Sequence, residues 1–91
     1  MATIYHPADA PREITPANGT KFTLEEMQGI VGGYIQIINL GNGNVMVLNE
    51  EGKFLNLPKN AHATIIAHQH KAIFPLDYIV GTALVCRESE A

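Results

Sequence analysis

The sequence predicts an α+β domain: a small antiparallel sheet, built from a central hairpin or meander plus terminal strands and packed with two short helices. Three observations carry that expectation. Thr23-Leu24-Glu25-Glu26 opens an apolar repeat of helical period, Gly41-Asn42-Gly43-Asn44 separates two runs rich in β-formers, and Asn60 stands before a second helical stretch.

The elements follow in order. Residues 2–6 read as a short strand closed by the loop Pro7-Ala8-Asp9-Ala10-Pro11, and residues 12–15 alternate polar and apolar as a second strand would. Pro16-Ala17-Asn18-Gly19 is a turn, because proline presets φ and Asn-Gly tolerates a positive one. In the first helix Thr23 is the N-cap and Glu26 reaches back from the third helical position. Leu24, Met27, Ile30 and Val31 then share one face, and Gly32-Gly33 ends the run. Residues 34–40 and 45–49 form a hairpin around the glycine-asparagine turn. Ile37-Ile38 and Val45-Met46-Val47-Leu48 are nearly continuous in apolar character, so the hairpin is expected to be covered on both faces or to lie in an interface. After the turn Glu50-Glu51-Gly52-Lys53, Phe54-Leu55 reads as a third meander strand. Asn60 caps a helix through Ala61, Ala63, Ile65, Ile66 and Ala67 that ends at His68-Gln69-His70-Lys71. Phe74-Pro75-Leu76-Asp77 is a loop, residues 79–86 are a last strand interrupted at Gly81, and 86–91 are expected to fray.

Ninety-one residues make one domain, 1–91, near the lower end of what folds alone. An apolar content of 46% suffices for a core and is too high for a disordered chain. Such a core supplies roughly 3–5 kcal/mol, and one cysteine cannot add an internal disulfide. A homo-oligomer is therefore the expected route to further stability. Net charge is −3 and the lysines are scattered along the chain, the opposite of the basic stripe that binds duplex nucleic acid. Residues 1–6 have neither the charge nor the apolar run of a secretory signal, and no apolar stretch approaches the length of a membrane span. A cytoplasmic protein is expected.

No catalytic or metal motif stands out. His62, His68 and His70 lack the spacing of a metal pair, and His6 is remote in sequence, so solvated or helix-capping histidines are expected, with no metal and no cofactor. Cys86 sits at a strand end without a nucleophile motif and reads as structural. Glu50-Glu51 reads as a solvated turn, since adjacent side chains point apart. Gly32-Gly33 follows a helix, whereas a phosphate cradle precedes one. The helix starts at Thr23 and Asn60 are the better anion sites, each with a lysine close by, Lys21 and Lys59. The aromatic set of Tyr5, Tyr34, Tyr78, Phe22, Phe54 and Phe74 offers rings for stacking, although most are expected in the core.

Four segments taken together resemble a known family. They are Ile30-Val31-Gly32-Gly33-Tyr34-Ile35-Gln36, Val47-Leu48-Asn49-Glu50-Glu51-Gly52-Lys53, Leu57-Pro58-Lys59-Asn60-Ala61 and Asp77-Tyr78-Ile79-Val80-Gly81-Thr82-Ala83-Leu84-Val85. In this order they are similar to a small domain-of-unknown-function family of bacterial, phage and mobile-element genomes. The resemblance spans residues 3–86. It departs from the family pattern at Gln36, where that family carries glutamate, and at Thr82, where an acidic residue is usual. It implies the order of the fold and an accessory role in a mobile genome, and it assigns no active site.

The function expected from all this is non-catalytic capture of a small nucleotide-like signal, of the cyclic-nucleotide or cyclic ADP-ribose kind, as a phage or mobile-element anti-defence protein. Tyr34 or Phe74 would stack, Lys21, Lys53 or Lys59 would take phosphates, and Asn49 or Asn60 would read polar edges. The alternative is a protein-interaction module, an inhibitor or adaptor without a small ligand, that uses the apolar hairpin as its contact surface.

Overall fold

The computed structural model describes residues 2–91 and has the α+β architecture the sequence predicts. Five strands form one antiparallel sheet: β1 (Ala2–Tyr5), β2 (Arg12–Ile14), β3 (Ile35–Asn39), β4 (Asn44–Asn49) and β5 (Ala83–Arg87). Their spatial order is β2-β1-β5-β4-β3, so the last strand is inserted between the N-terminal hairpin and the central one. Two helices, α1 (Leu24–Val31) and α2 (Ala61–Gln69), lie on opposite faces. No helix among the described residues is long and apolar enough to cross a membrane.

Strand alternation explains the continuous apolar runs. On the α1 face Ala2 and Ile4 of β1, Val45 and Val47 of β4, and Leu84 and Cys86 of β5 pack with Phe22, Met27 and Val31. On the α2 face Met46, Leu48, Ala83, Val85 and Tyr5 pack with Leu40, Ala63, Ala67 and Ile79. A strand buried on both sides has no polar position to spare, which is why β4 reads Val-Met-Val-Leu.

The first helix begins as the sequence requires. Thr23 accepts from the Glu26 N–H at 3.1 Å, and the Glu26 carboxylate accepts from the N–H groups of Thr23 and Ala17, each at 3.0 Å. Those two donors hold the Glu26 carboxyl below its usual range. Gly32 closes the helix at φ 83°, and its N–H donates to the Gln28 carbonyl at 2.8 Å.

Two stretches differ from the sequence reading. Phe54-Leu55 is not a meander strand: Leu55 N–H donates to the Glu51 carbonyl, Leu57 N–H to the Gly52 carbonyl, and Asn56 turns at φ 60°. The place beside β4 that a meander strand would take is occupied by β5, so the segment coils and leaves Phe54 87% exposed. Where the sequence expects a frayed end, β5 continues to Arg87 and a 3-10 turn, Glu88–Glu90, follows. The Glu90 carbonyl there accepts from Phe22 N–H at 2.7 Å.

The expected interruption at Gly81 is present. Gly81 adopts φ 73°, and before it Val80 makes an isolated antiparallel bridge with Lys59. Asn60 N–H donates to the Ile79 carbonyl and Gly81 N–H to the Pro58 carbonyl. This clasp ties the loop before α2 to the segment before β5, and it positions the cleft described next.

Candidate functional site

The clasp brings three loop segments together beside the β3–β4 hairpin. Residues 49–54 and 77–80 surround a cleft of about 180 Å³ that has Ile38, Leu48, Ile79 and Val80 on its apolar side and Gln36, Glu50, Glu51 and Asp77 as polar neighbours. A smaller hollow of about 150 Å³, lined by Lys53, Asn56, Leu57, Lys59, Tyr78 and Val80, shares Lys53, Tyr78 and Val80 with it.

At the junction the chain places two ammonium groups on one ring. Lys53 Nζ lies 4.6 Å and Lys59 Nζ 4.8 Å from the centroid of Tyr78, whose side chain is 38% exposed. Cation–π attraction to the ring favours each placement. Lys53 also ion-pairs with Asp77, and the Tyr78 N–H donates to the same carboxylate at 2.8 Å. The Lys53 ammonium first, then that N–H, holds the Asp77 carboxyl below its usual range. Among the described residues no carboxylate pairs with Lys59. The His68 ring fixes this loop from α2 by bonding the Asp77 carbonyl through Nε2 at 2.8 Å.

The residues singled out from the sequence divide into three groups. Lys53 and Lys59 meet at Tyr78. Asn49 and Asn60 are buried and committed to the fold. Asn49 Nδ2 donates to the Val31 carbonyl at 3.2 Å while its Oδ1 accepts from Glu51 N–H at 2.8 Å. The same amide accounts for Gly33, since a Cβ there would lie 2.9 Å from Asn49 Nδ2. Asn60 Oδ1 accepts from Ala63 N–H, and its Nδ2 donates to the carbonyls of Tyr5 and Gly81. The Asn60 amide is spent on internal bonds and lines neither the cleft nor the hollow, whereas Asn49, with its oxygen and one N–H engaged internally, also borders the cleft. The third group lies apart. Phe74, 83% exposed, flanks an adjoining groove with Lys71, Ile73, Gln36 and Ile38. Tyr34, 66% exposed, lines a separate groove with Gly32, Gly33 and Leu55, and Lys21 lines none of these clefts.

Tyr78, Asp77 and Val80 complete the site; of these the sequence offers only Tyr78, as one ring among six and not as one of the expected ligand contacts. Their segment has no periodic signal. It is nonetheless one of the stretches that carry the family resemblance, as are Asn49-Glu50-Glu51-Gly52-Lys53 and Leu57-Pro58-Lys59-Asn60, and all three border either the cleft or the hollow beside it.

Histidine and cysteine are engaged elsewhere. His6 Nδ1 meets Thr82 Oγ1 at 3.0 Å, and the His62 ring packs 4.7 Å from that of Tyr5. Among the described residues no three His, Cys, Asp or Glu side chains gather as a metal set. Cys86 is buried in the α1-side core. Burial, helped by the Glu90 carboxylate, pushes its thiol up to about 11. Thiol reagents are therefore expected to leave Cys86 unmodified in the native protein at neutral pH and to titrate one thiol per chain after urea unfolding. Rapid native labelling would contradict this burial.

The architecture and cleft together define a small α+β domain with one helix on each face of an antiparallel sheet and a basic-aromatic cleft at the open end of its central hairpin, away from the 41–44 turn. The chain belongs to the family described as Domain of unknown function (DUF3846), whose model matches residues 2–91. No curated protein and no solved structure matches it.

Proposed function

We propose that this domain is a non-catalytic binder of a small nucleotide-like anion, with phosphate held between Lys53 and Lys59 and the flat base laid along Tyr78 into the apolar cleft. The observation that carries this reading is the meeting of two ammonium groups from separate loops on one partly exposed tyrosine. Like charges brought together oppose folding unless something compensates, and here one carboxylate, Asp77, is paired with Lys53. A phosphate would supply the second counter-charge. The acceptors Glu50 and Glu51, which line the cleft, suit the amino groups of a base, and Val80, Ile79 and Leu48 suit its faces. In this reading the ligand is a signal of the cyclic-dinucleotide or cyclic ADP-ribose type, which the protein sequesters intact in an anti-defence role.

The test is a thermal-shift screen against cyclic dinucleotides, cyclic ADP-ribose isomers and ordinary nucleotides, followed by recovery of any hit. A ligand present at on the order of 100 times its Kd stabilises its binder by about 2.7 kcal/mol. For a domain of this size each kcal/mol moves Tm by roughly 4–8 °C. Lys59→Ala is expected to weaken binding by about ten-fold or more, the value of a charge-assisted hydrogen bond. Tyr78→Ala should weaken it too, while Lys21→Ala should leave it unchanged. Binding untouched by Lys59→Ala and Tyr78→Ala would remove the ligand from this cleft.

A second reading, docking of a protein partner, is favoured by the exposure of Phe54, which lines the cleft, and of Phe74, which flanks the adjoining groove. A flat ligand panel together with a stoichiometric complex lost on Phe54→Ser would establish it instead.

A further inference from the structure

The two free edges of the sheet are built differently. β2 is three residues long, carries Arg12 and Glu13, and is flanked by Pro11 and Pro16. Short length, charge and proline are the devices that keep a sheet edge from pairing with another chain. β3, the other edge, is five residues long, contains neither charge nor proline, and leaves Ile37 45% exposed.

Its backbone is oriented for pairing. Leu40 N–H donates to the Asn44 carbonyl, and the Tyr34 carbonyl accepts from Glu50 N–H. By the alternation of an antiparallel ladder, Gln36 and Ile38 then direct their backbone groups to β4, and Ile35, Ile37 and Asn39 direct theirs outward.

We propose that a second copy of this chain pairs with β3 through the same strand, antiparallel, about a two-fold axis at Ile37. In that register Ile37 faces Ile37 and Ile35 faces Asn39, so each outward residue of β3 enters a hydrogen-bonded pair and the two sheets become one. The charge pattern selects a copy of the chain itself as the occupant. Each chain carries −3 overall, and β3 is a stretch on which two such chains meet without apposing like charges. On the two-fold axis that register sets Ile37 against itself, an apolar pair, and it apposes no charged side chain at any position of the strand. Side chains agree with this. Ile35 belongs to the α1-side core, so Ile37 lies on that same face and meets its counterpart there. On the other face Gln36 and Ile38, which line the cleft, come opposite Ile38 and Gln36 of the second copy, which then walls the β3 side of the cleft.

The test uses the full chain without ligand, so its outcome is independent of the Lys53–Lys59 reading. Sedimentation velocity across the micromolar to hundred-micromolar range is expected to show a dimer, and Ile37→Lys to return a monomer with an unchanged circular-dichroism spectrum. Ile37→Cys fixes the register. Residues facing each other in a hydrogen-bonded antiparallel pair have Cα atoms about 5.5 Å apart, within disulfide reach. Mild oxidation should therefore convert Ile37→Cys to a covalent dimer far faster than Leu76→Cys, whose position is 95% exposed on a loop. Buried Cys86 does not compete. A wild-type monomer throughout the range, or cross-linking of Ile37→Cys no faster than of Leu76→Cys, overturns the proposal.

Discussion

Asn60→Ala is expected to lower stability by about 2–5 kcal/mol, most of the roughly 3–5 kcal/mol that a core of this size supplies. The side chain is fully buried and does two jobs. As N-cap of α2 it accepts from Ala63 N–H at 3.0 Å, a bond whose loss costs about 1 kcal/mol. Its amide also bridges β1 and the pre-β5 segment, donating to the Tyr5 carbonyl at 2.8 Å and the Gly81 carbonyl at 2.9 Å. Removing a buried donor leaves each acceptor with a desolvation cost of about 1–3 kcal/mol. Urea denaturation followed by far-UV circular dichroism measures the loss, and Asn60→Asp separates the two jobs. The aspartate retains the capping oxygen but turns a second oxygen towards two carbonyls. Asn60→Asp should therefore be strongly destabilised at neutral pH and recover in part in mild acid. The introduced carboxyl is worse off charged in the fold than in the unfolded chain, so its folded pKa lies above its unfolded one. Its penalty is smallest below the unfolded value and grows as pH rises through the folded value. Wild-type stability for Asn60→Asp at neutral pH would mean that the cap alone matters.

Leu84→Ala is the second large effect, with an expected cost of about 2–5 kcal/mol. Leu84 is fully buried in β5, where it stands between Ile4 of β1 and Val47 of β4 on the α1 face. Phe22, Met27 and Val31 close the core above that row. Backbone hydrogen bonds on both sides of β5 prevent the sheet from collapsing into the space the leucine vacates, so the lost contacts are joined by a cavity. The predicted drop in Tm is about 4–8 °C per kcal/mol. Ile65→Ala, at a position 56% exposed on α2, should change stability by only about 0.5 kcal/mol. Equal effects of the two substitutions would contradict the placement of the core.

Much of the fold was legible because local rules govern it. The capping box at Thr23, the cap at Asn60, the glycine stop at Gly32 and the turn at 41–44 each depend on residues within a few positions of one another. The unbroken apolar run of β4 called for cover on both faces, and the two helices provide it. Ile37-Ile38 of β3, expected to share that cover, is not enclosed within the chain, because β3 is an edge strand and Ile37 is exposed. The candidate site was legible only in part. Lys53 and Lys59 are six residues apart in sequence, and each seemed isolated until the Lys59–Val80 bridge brought both to Tyr78. Asn49 and Asn60 looked available as polar contacts because a sequence does not show which carbonyls a buried amide must satisfy.

The sequence by itself determined the two helices and their caps, the β3–β4 hairpin and the two-sided burial of β4, since these follow from backbone propensity and side-chain period over short distances. Tertiary structure alone decided the insertion of β5 between β1 and β4, the displacement of Phe54-Leu55 into a turn, and the convergence of three loops on one tyrosine. These depend on pairings between residues far apart in the chain. Such pairings are chosen by competition for sheet edges and for buried hydrogen-bond partners across the whole molecule, and no local pattern encodes the result.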